Sequence, residues 1–302
     1  MRAAVIGIGS NSVRMLIADI AGGIGTRLRR DRAGTRLFAG LDAQRRLSPQ
    51  SMKTSSDSVA EMAASAREAG AEEILLFATS ATRDASNADE FASMIRSTSG
   101  LELQILPGET EAQLSFLGAS GEGMCGVIDI GGGSTEIIVG NGMELFSSFS
   151  CQMGAVRLSR LYPLSNEADM ERVIEASGCI LSDRLASLPA LPPAPAWYGT
   201  GGTFTTLAAM VNGVPWTDRT RMHGTRLMYD QVEKEARLLA PMTLDERRAL
   251  PGLQPNRADI IVHGICILIA CMRTLQIPEI SVSEYGNLDG FMKYHYHLTS
   301  LR

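Results

Sequence analysis

The chain has 302 residues, 45% of them hydrophobic and 20% charged, the make-up of an ordinary soluble globular protein that is long for one domain and comfortable for two. A formal charge of −5 argues against a general nucleic-acid binder, which needs a basic face. The longest apolar run, residues 260–272, is too short for a bilayer and is broken by His263 and Gly264, so no membrane span is expected.

Residues 3–20 read as a β-hairpin, with glycines and the polar group Gly9-Ser10-Asn11-Ser12 between two apolar runs. No secretory leader is read ahead of it, since Arg2 is the only basic flank. Arg27, Arg29, Arg30 and Arg32 form a basic cluster, read either as a solvated surface loop or as a local site for an anionic substrate. Residues 35–42 look like another strand or its end. Ser48-Pro49 opens a helix with a hydroxyl cap and a proline at the first position, and the apolar stripe from Met52 through Val59, Met62, Ala63 and Ala66 runs to a stop at Gly70.

The continuous apolar run 74–78 predicts a central strand covered on both faces. Ligands of α/β sheets bind off the carboxyl ends of strands, which makes Thr79, Ser80 and Arg83 candidates. Arg83 is read as a phosphate grip or as a loop ion pair with Asp84. Asn87 is expected to cap a helix through Ile95, residues 101–106 to form a strand, and 107–117 to open a further helix. Glu109 and Glu111 at its start either complement the helix dipole or supply a general base that activates water.

Gly126 to Glu136 is the organising stretch. An apolar strand ends in Asp129 and Ile130, three glycines follow with Ser134 and Thr135, and a second strand resumes after Glu136. This predicts a tight hairpin whose successive backbone N–H groups line an anion site, with Asp129 placed to hold a metal. A third glycine turn, Gly199-Thr200-Gly201-Gly202-Thr203, leads into a helical run 204–211. Three such turns suggest an internal duplication, and neither Gly7-x-Gly9 nor Gly131-Gly132-Gly133 has the G-x-G-x-x-G spacing of a dinucleotide fold. Helices are expected over 166–185, 230–240, 243–249 and, long and buried, 256–275. A strand is expected at 279–283 and a terminal helix or turn at 285–297, and the proline-rich stretch 188–195 is a loop. Five scattered cysteines without a C-x-x-C pair fit buried thiols in a reducing cytoplasm, and the four histidines share no metal spacing.

Taken together, the blocks Gly9–Ser12, Ala78–Ala85, Gly108–Ala112, Ile128–Glu136, Gly154–Leu158, Gly199–Thr203 and Arg257–Asp259 resemble the Ppx/GppA phosphatases, the exopolyphosphatase and guanosine pentaphosphate phosphohydrolase family. The resemblance implies an α/β fold of two ribonuclease-H-like domains of the actin/hexokinase/Hsp70 superfold with the site in the cleft between them. Residues 1–120, completed by the terminal helix 287–302, would form the first domain and 121–286 the second. It implies metal-dependent release of terminal phosphate, with Mg²⁺ or Mn²⁺ as cofactor. Polyphosphate is the expected substrate, with pppGpp the alternative; the short chain, stopping where a further helical domain would start, tilts toward shorter polyphosphate. A cytoplasmic homodimer is expected.

By the same resemblance Glu111 would be the base and Glu136 would assist water or metal. Asp129 would hold the metal, and Ser10, Asn11, Arg83, Gly132, Gly133, Ser134, Gly201 and Gly202 would bind phosphates. Three positions depart from the pattern. Gly7 stands where an acidic residue is usual, Leu37-Phe38-Ala39-Gly40 replaces a Leu-Gly-Glu-Gly block, and Gly286-Asn287-Leu288-Asp289-Gly290 replaces Gly-Leu-Arg-Glu-Gly. The Gly7 departure leaves open a non-catalytic sensor of polyphosphate or (p)ppGpp, and the superfold leaves open a sugar kinase or actin-like ATPase.

Overall fold

The computed structural model describes all 302 residues and divides into two compact units, Met1–Gly118 with Asn287–Arg302, and Ala119–Gly286. The first begins with β1 (Arg2–Ile8), β2 (Val13–Ala21) and β3 (Ile24–Ala33), then α1 (Pro49–Glu68), β4 (Glu73–Ala78), α2 (Ser80–Arg83), α3 (Ala88–Ser99), β5 (Gln104–Ile105) and α4 (Gly108–Ala119). The second holds β6 (Met124–Ile130), β7 (Thr135–Asn141), β8 (Glu144–Cys151), α5 (Ala155–Leu161), α6 (Glu167–Ala186), β9 (Trp197–Thr200) and α7 (Gly202–Val211). It continues through β10 (Arg226–Met228), α8 (Tyr229–Leu239), α9 (Leu244–Arg248), α10 (Ile261–Leu275) and β11 (Glu279–Val282). Then α11 (Asn287–His295) and β12 (Ser300–Leu301) return to the first unit.

Each unit is built on a six-stranded sheet, and the two share one plan. The first has the order β12-β3-β2-β1-β4-β5, and the second, read from its other edge, β8-β7-β6-β9-β11-β10. In both, an antiparallel meander of three strands leads to a strand parallel to the first, β4 beside β1 and β9 beside β6. The duplication read from the glycine turns is therefore a duplication of topology. Around the second sheet, α10 supplies the core: its residues 261–272 are all buried, as an all-round apolar helix requires.

The capping chemistry works as read at Ser48, whose hydroxyl accepts from Ser51 N–H with Pro49 in the first turn; Asn166, which carried no such reading, also caps its helix, accepting from Asp169 N–H at 2.9 Å. Asn87 is different. It precedes α3, but its side chain is spent on the N–H and C=O of Leu47 (2.8 and 3.1 Å), pinning a loop instead of capping the helix.

Several expectations are overturned. Residues 37–40 form a 3-10 turn in place of a strand, because Arg36 and Phe38 donate to the Asn11 and Ser10 carbonyls and draw the segment onto the first glycine turn. The basic cluster is no loop. It lies on β3, paired residue by residue with β2, and Arg27 and Arg30 both reach the buried carboxylate of Asp289 on α11. The helix expected from 256 starts at Ile261: Pro255–Arg257 is a 3-10 turn, and Ile260 at φ −120° interrupts the run. The expected strand over 101–106 shrinks to two residues, since only Gln104 and Ile105 reach β4. Cys179 is exposed on α6, so four of the five thiols are buried. Burial pushes the Cys151 and Cys266 thiols up to about 12, which makes them inert at neutral pH.

Candidate phosphate site

The turn after β6 is closed by Gly131 N–H donating to Ser134 O at 2.9 Å. Its other carbonyls are taken from outside. Ala155 N–H donates to Gly131 O, Val156 and Arg157 N–H donate to Gly132 O, and Arg157 Nε donates to Gly133 O at 2.6 Å. Those donors are the first turn of α5, whose N–H groups have no partner within the helix. With the Gly131, Gly132 and Gly133 carbonyls drawn toward α5 and that of Ser134 closing the turn, the N–H groups of Gly132, Gly133 and Ser134 have no acceptor in the protein. Three successive amides left without an acceptor are available to an anion. Gly154 makes this packing possible, because a Cβ there would overlap the Gly132–Gly133 peptide.

The turn after β1 repeats the device. Gly9 N–H donates to Ser12 O at 3.0 Å, and Phe38 and Arg36 N–H take the Ser10 and Asn11 carbonyls. The Ser10 and Asn11 N–H groups are left without an acceptor. Ser10 Oγ lies 3.2 Å from Ser80 Oγ, both buried, which ties this turn to α2 at the end of β4. On α2, Arg83 pairs with Glu111 at 3.0 Å and donates to Leu106 O, while its Nη2 is buried without a partner. The partner of Arg83 is thus Glu111 and not Asp84, which faces Arg45. Glu111 is 6% exposed and Glu109 is exposed, so of the two acidic residues at this helix start only Glu111 sits among the site residues.

The third glycine turn is a strand-to-helix corner. Gly201 has φ 98°, a conformation open to glycine alone, and its Cα faces Asp129: a Cβ there would lie 3.0 Å from Asp129 Oδ1. The α7 N-terminus follows directly, and the Arg257 guanidinium is seated on Gly202 where a Cβ would be. Arg257 was not singled out as a site residue from the sequence. Its only signal there is the Arg257-Ala258-Asp259 block. On the neighbouring strand, Glu136 stands directly opposite Asp129 and is 1% exposed, its Oε1 accepting from Ser150 Oγ at 2.7 Å.

Thus Ser10, Asn11, Arg83 and Glu111 belong to one constellation of the first unit, and Asp129, Glu136, Gly132, Gly133, Ser134, Gly201 and Gly202 to one of the second. Among the described residues no three His, Cys, Asp or Glu side chains come close enough to share an ion. The donor set therefore suits a hard cation completed by phosphate oxygens, as Mg²⁺ is, and does not suit one enclosed by protein.

The departures at Gly7 and Leu288 meet in space. A Cβ at Gly7 would lie 2.9 Å from Phe77 Cζ and 3.1 Å from Leu288 Cδ2, so the room a side chain at Gly7 would need is taken by Phe77 first and by Leu288 beside it.

A repeated α/β topology with glycine turns at the strand ends defines a protein of the two-domain ribonuclease-H-like class, that of the actin/hexokinase/Hsp70 superfold. Residues 16–295 match the model of the Ppx/GppA phosphatase family, and the chain belongs to that family. It is 34% identical to exopolyphosphatase 2 of Mycobacterium tuberculosis over 96% of this chain and 97% of that one. It is 31% identical to the guanosine-5'-triphosphate,3'-diphosphate pyrophosphatase of Pseudoalteromonas translucida, over 96% of this chain and 58% of the relative. The solved Ppx/GppA family member of Aquifex aeolicus superposes with a TM-score of 0.82 at 28% identity, covering 98% of this chain and 97% of that one. No helix is long and apolar enough to cross a membrane.

Proposed function

We propose that this protein hydrolyses the terminal phosphoanhydride of inorganic polyphosphate, with Mg²⁺ or Mn²⁺ as cofactor. The observation that carries the reading is the pair of equivalent glycine turns whose carbonyls are tied back so that their N–H groups are left for an anion. The relative matched along nearly all of both chains is an exopolyphosphatase, which supports polyphosphate as substrate.

In this reading the amides of Gly132, Gly133 and Ser134, those of Ser10 and Asn11, and Arg83 through its Nη2 hold phosphoryl oxygens. Gly201 and Gly202, at the α7 N-terminus, hold others with Arg257. Asp129 holds the metal, with Glu136 opposite it. When bound, the metal neutralises charge on the transferring phosphoryl group. Glu111 accepts a proton from water, the water oxygen bonds to the terminal phosphorus, and the bridging P–O bond breaks to release orthophosphate and a chain shorter by one. Such transfer asks a protein mainly for positioning and charge neutralisation. A second reading, removal of the 5'-terminal phosphate of pppGpp, uses the same groups and is favoured by the Pseudoalteromonas relative.

The test is phosphate release from long polyphosphate, tripolyphosphate and pppGpp, with Glu111→Gln as the blank. Removing a general base costs roughly 10²–10⁴ in rate, so the variant is expected to bind as before and turn over at that reduced level. Turnover in the wild type on polyphosphate above pppGpp is the expected ranking, and the reverse ranking selects the second reading. Tight binding with no turnover in the wild type makes the protein a sensor, and a variant within tenfold of wild type moves the base role away from Glu111.

A further inference from the structure

The equivalence of the two hairpin turns lets the residues around them be compared position by position. Two residues before each turn stand Asp129 in the second unit and Gly7 in the first. The row of directly paired residues through Asp129 is Thr200, Asp129, Glu136 and Ser150 across β9, β6, β7 and β8. The corresponding row through Gly7 is Phe77, Gly7, Arg14 and Arg32 across β4, β1, β2 and β3. Directly paired residues project from the same face of a sheet. One repeat therefore presents two adjacent carboxylates, and the other presents two arginines and none.

The first unit is also closed to a carboxylate at this point. Phe77 lies in the path of any side chain at Gly7, stacked on Phe291 with ring centroids 4.9 Å apart, and Leu288 lies beside it. Arg14 donates to the neutral amide oxygen of Asn287 at 2.9 Å. In the second unit Asp129 and Glu136 supply two carboxylates and no third acidic side chain joins them, and one oxygen of Glu136 already accepts from Ser150. Mg²⁺ demands six oxygens, gives up water reluctantly, and is usually held by one or two carboxylates plus substrate phosphates.

We infer that this protein keeps no resident divalent cation: the metal enters and leaves with the phosphate chain as a metal–phosphate complex. Asp129 grips the metal of that complex, and the turn amides and arginines grip its phosphoryl oxygens. This rests on the phosphatase reading above and adds the form in which the substrate is taken.

The test is equilibrium dialysis of the full-length Glu111→Gln protein against Mn²⁺, with and without tripolyphosphate, both retained species being counted; wild type with an imido-bridged triphosphate repeats it on the unmutated chain. Without phosphate, no stoichiometric retention of Mn²⁺ is expected. With tripolyphosphate, one Mn²⁺ per chain is expected, and Asp129→Asn should weaken retention of both species together by at least about tenfold, the loss that disturbing even an outer-shell partner brings. Stoichiometric Mn²⁺ without phosphate overturns the inference and leaves the phosphatase reading standing. So does tripolyphosphate held equally well in a chelator. Failure to retain tripolyphosphate under any condition brings down the phosphate-site reading itself.

Discussion

Gly154→Ala tests whether the packing of α5 against the glycine turn creates the anion site. Gly154 has φ −125° and ψ 157°, which alanine adopts freely, so the backbone exacts no cost of its own. The cost lies in contact: the new methyl would come within 3.0 Å of Gly132 C and O and of Gly133 N. These are backbone atoms of a turn fixed by four hydrogen bonds from α5, so no rotamer change relieves the overlap. Overpacking of this kind costs about 3 kcal/mol at the upper end of its usual range, roughly 6–12 °C in Tm for a unit of this size. The turn can yield only by moving its amides, and one misplaced anion donor lowers turnover by roughly 10²–10³. Gly178→Ala is the matched control. It sits within α6 with no heavy atom within 4 Å of the added methyl, and should raise stability by about 0.5–1 kcal/mol and leave turnover alone. Differential scanning fluorimetry and phosphate release on both variants decide the matter. A Gly154→Ala protein with wild-type Tm and turnover refutes the argument that α5 sets the amides.

Two further outcomes follow from buried polar groups. Asp289 is 2% exposed and receives Arg27 and Arg30 from β3, so Asp289→Asn should cost about 3 kcal/mol, read as a drop in urea midpoint at unchanged slope; a midpoint equal to wild type would mean the two arginines find other partners. His263 is 4% exposed, its Nε2–H donating to Tyr162 O at 2.8 Å and its Nδ1 left without a partner, and burial holds its pKa below the usual histidine value. A depressed folded-state value means the unfolded chain binds the extra proton, so stability should fall as pH drops below about 6.5. His263→Gln keeps the hydrogen bond and should flatten that slope in Tm measured from pH 8 to 5.5, and an unchanged slope would place the titrating group elsewhere.

Much of the site was legible because it is local. Glycine, serine and asparagine between apolar runs mark hairpin turns, and those turns were placed from sequence at residues 9–12 and 131–134; Gly131 serves there by close approach, since a Cβ would lie 3.0 Å from Ser134 O, and not by a positive φ. The helix starting at Pro49 was equally local, its cap and first turn lying within four residues. Other residues are decided by what reaches them from far along the chain. Arg27 and Arg30 read as a solvated or anion-binding cluster until Asp289, about 260 residues away, arrives to pair with both. Arg83 had Asp84 beside it in sequence, yet its partner is Glu111, brought in by α4. Asn87 had every local reason to cap α3 and was claimed by Leu47.

The sequence by itself determined the glycine turns, the duplication and the family, since each rests on short-range backbone chemistry or on residue order. Only the tertiary structure decided that the turn carbonyls are tied back by α5 and by residues 36–38, that Arg257 covers Gly202, and that Phe77 and Leu288 close the space at Gly7. Those are contacts between residues distant in the chain, and side-chain packing, which no local pattern encodes, sets them.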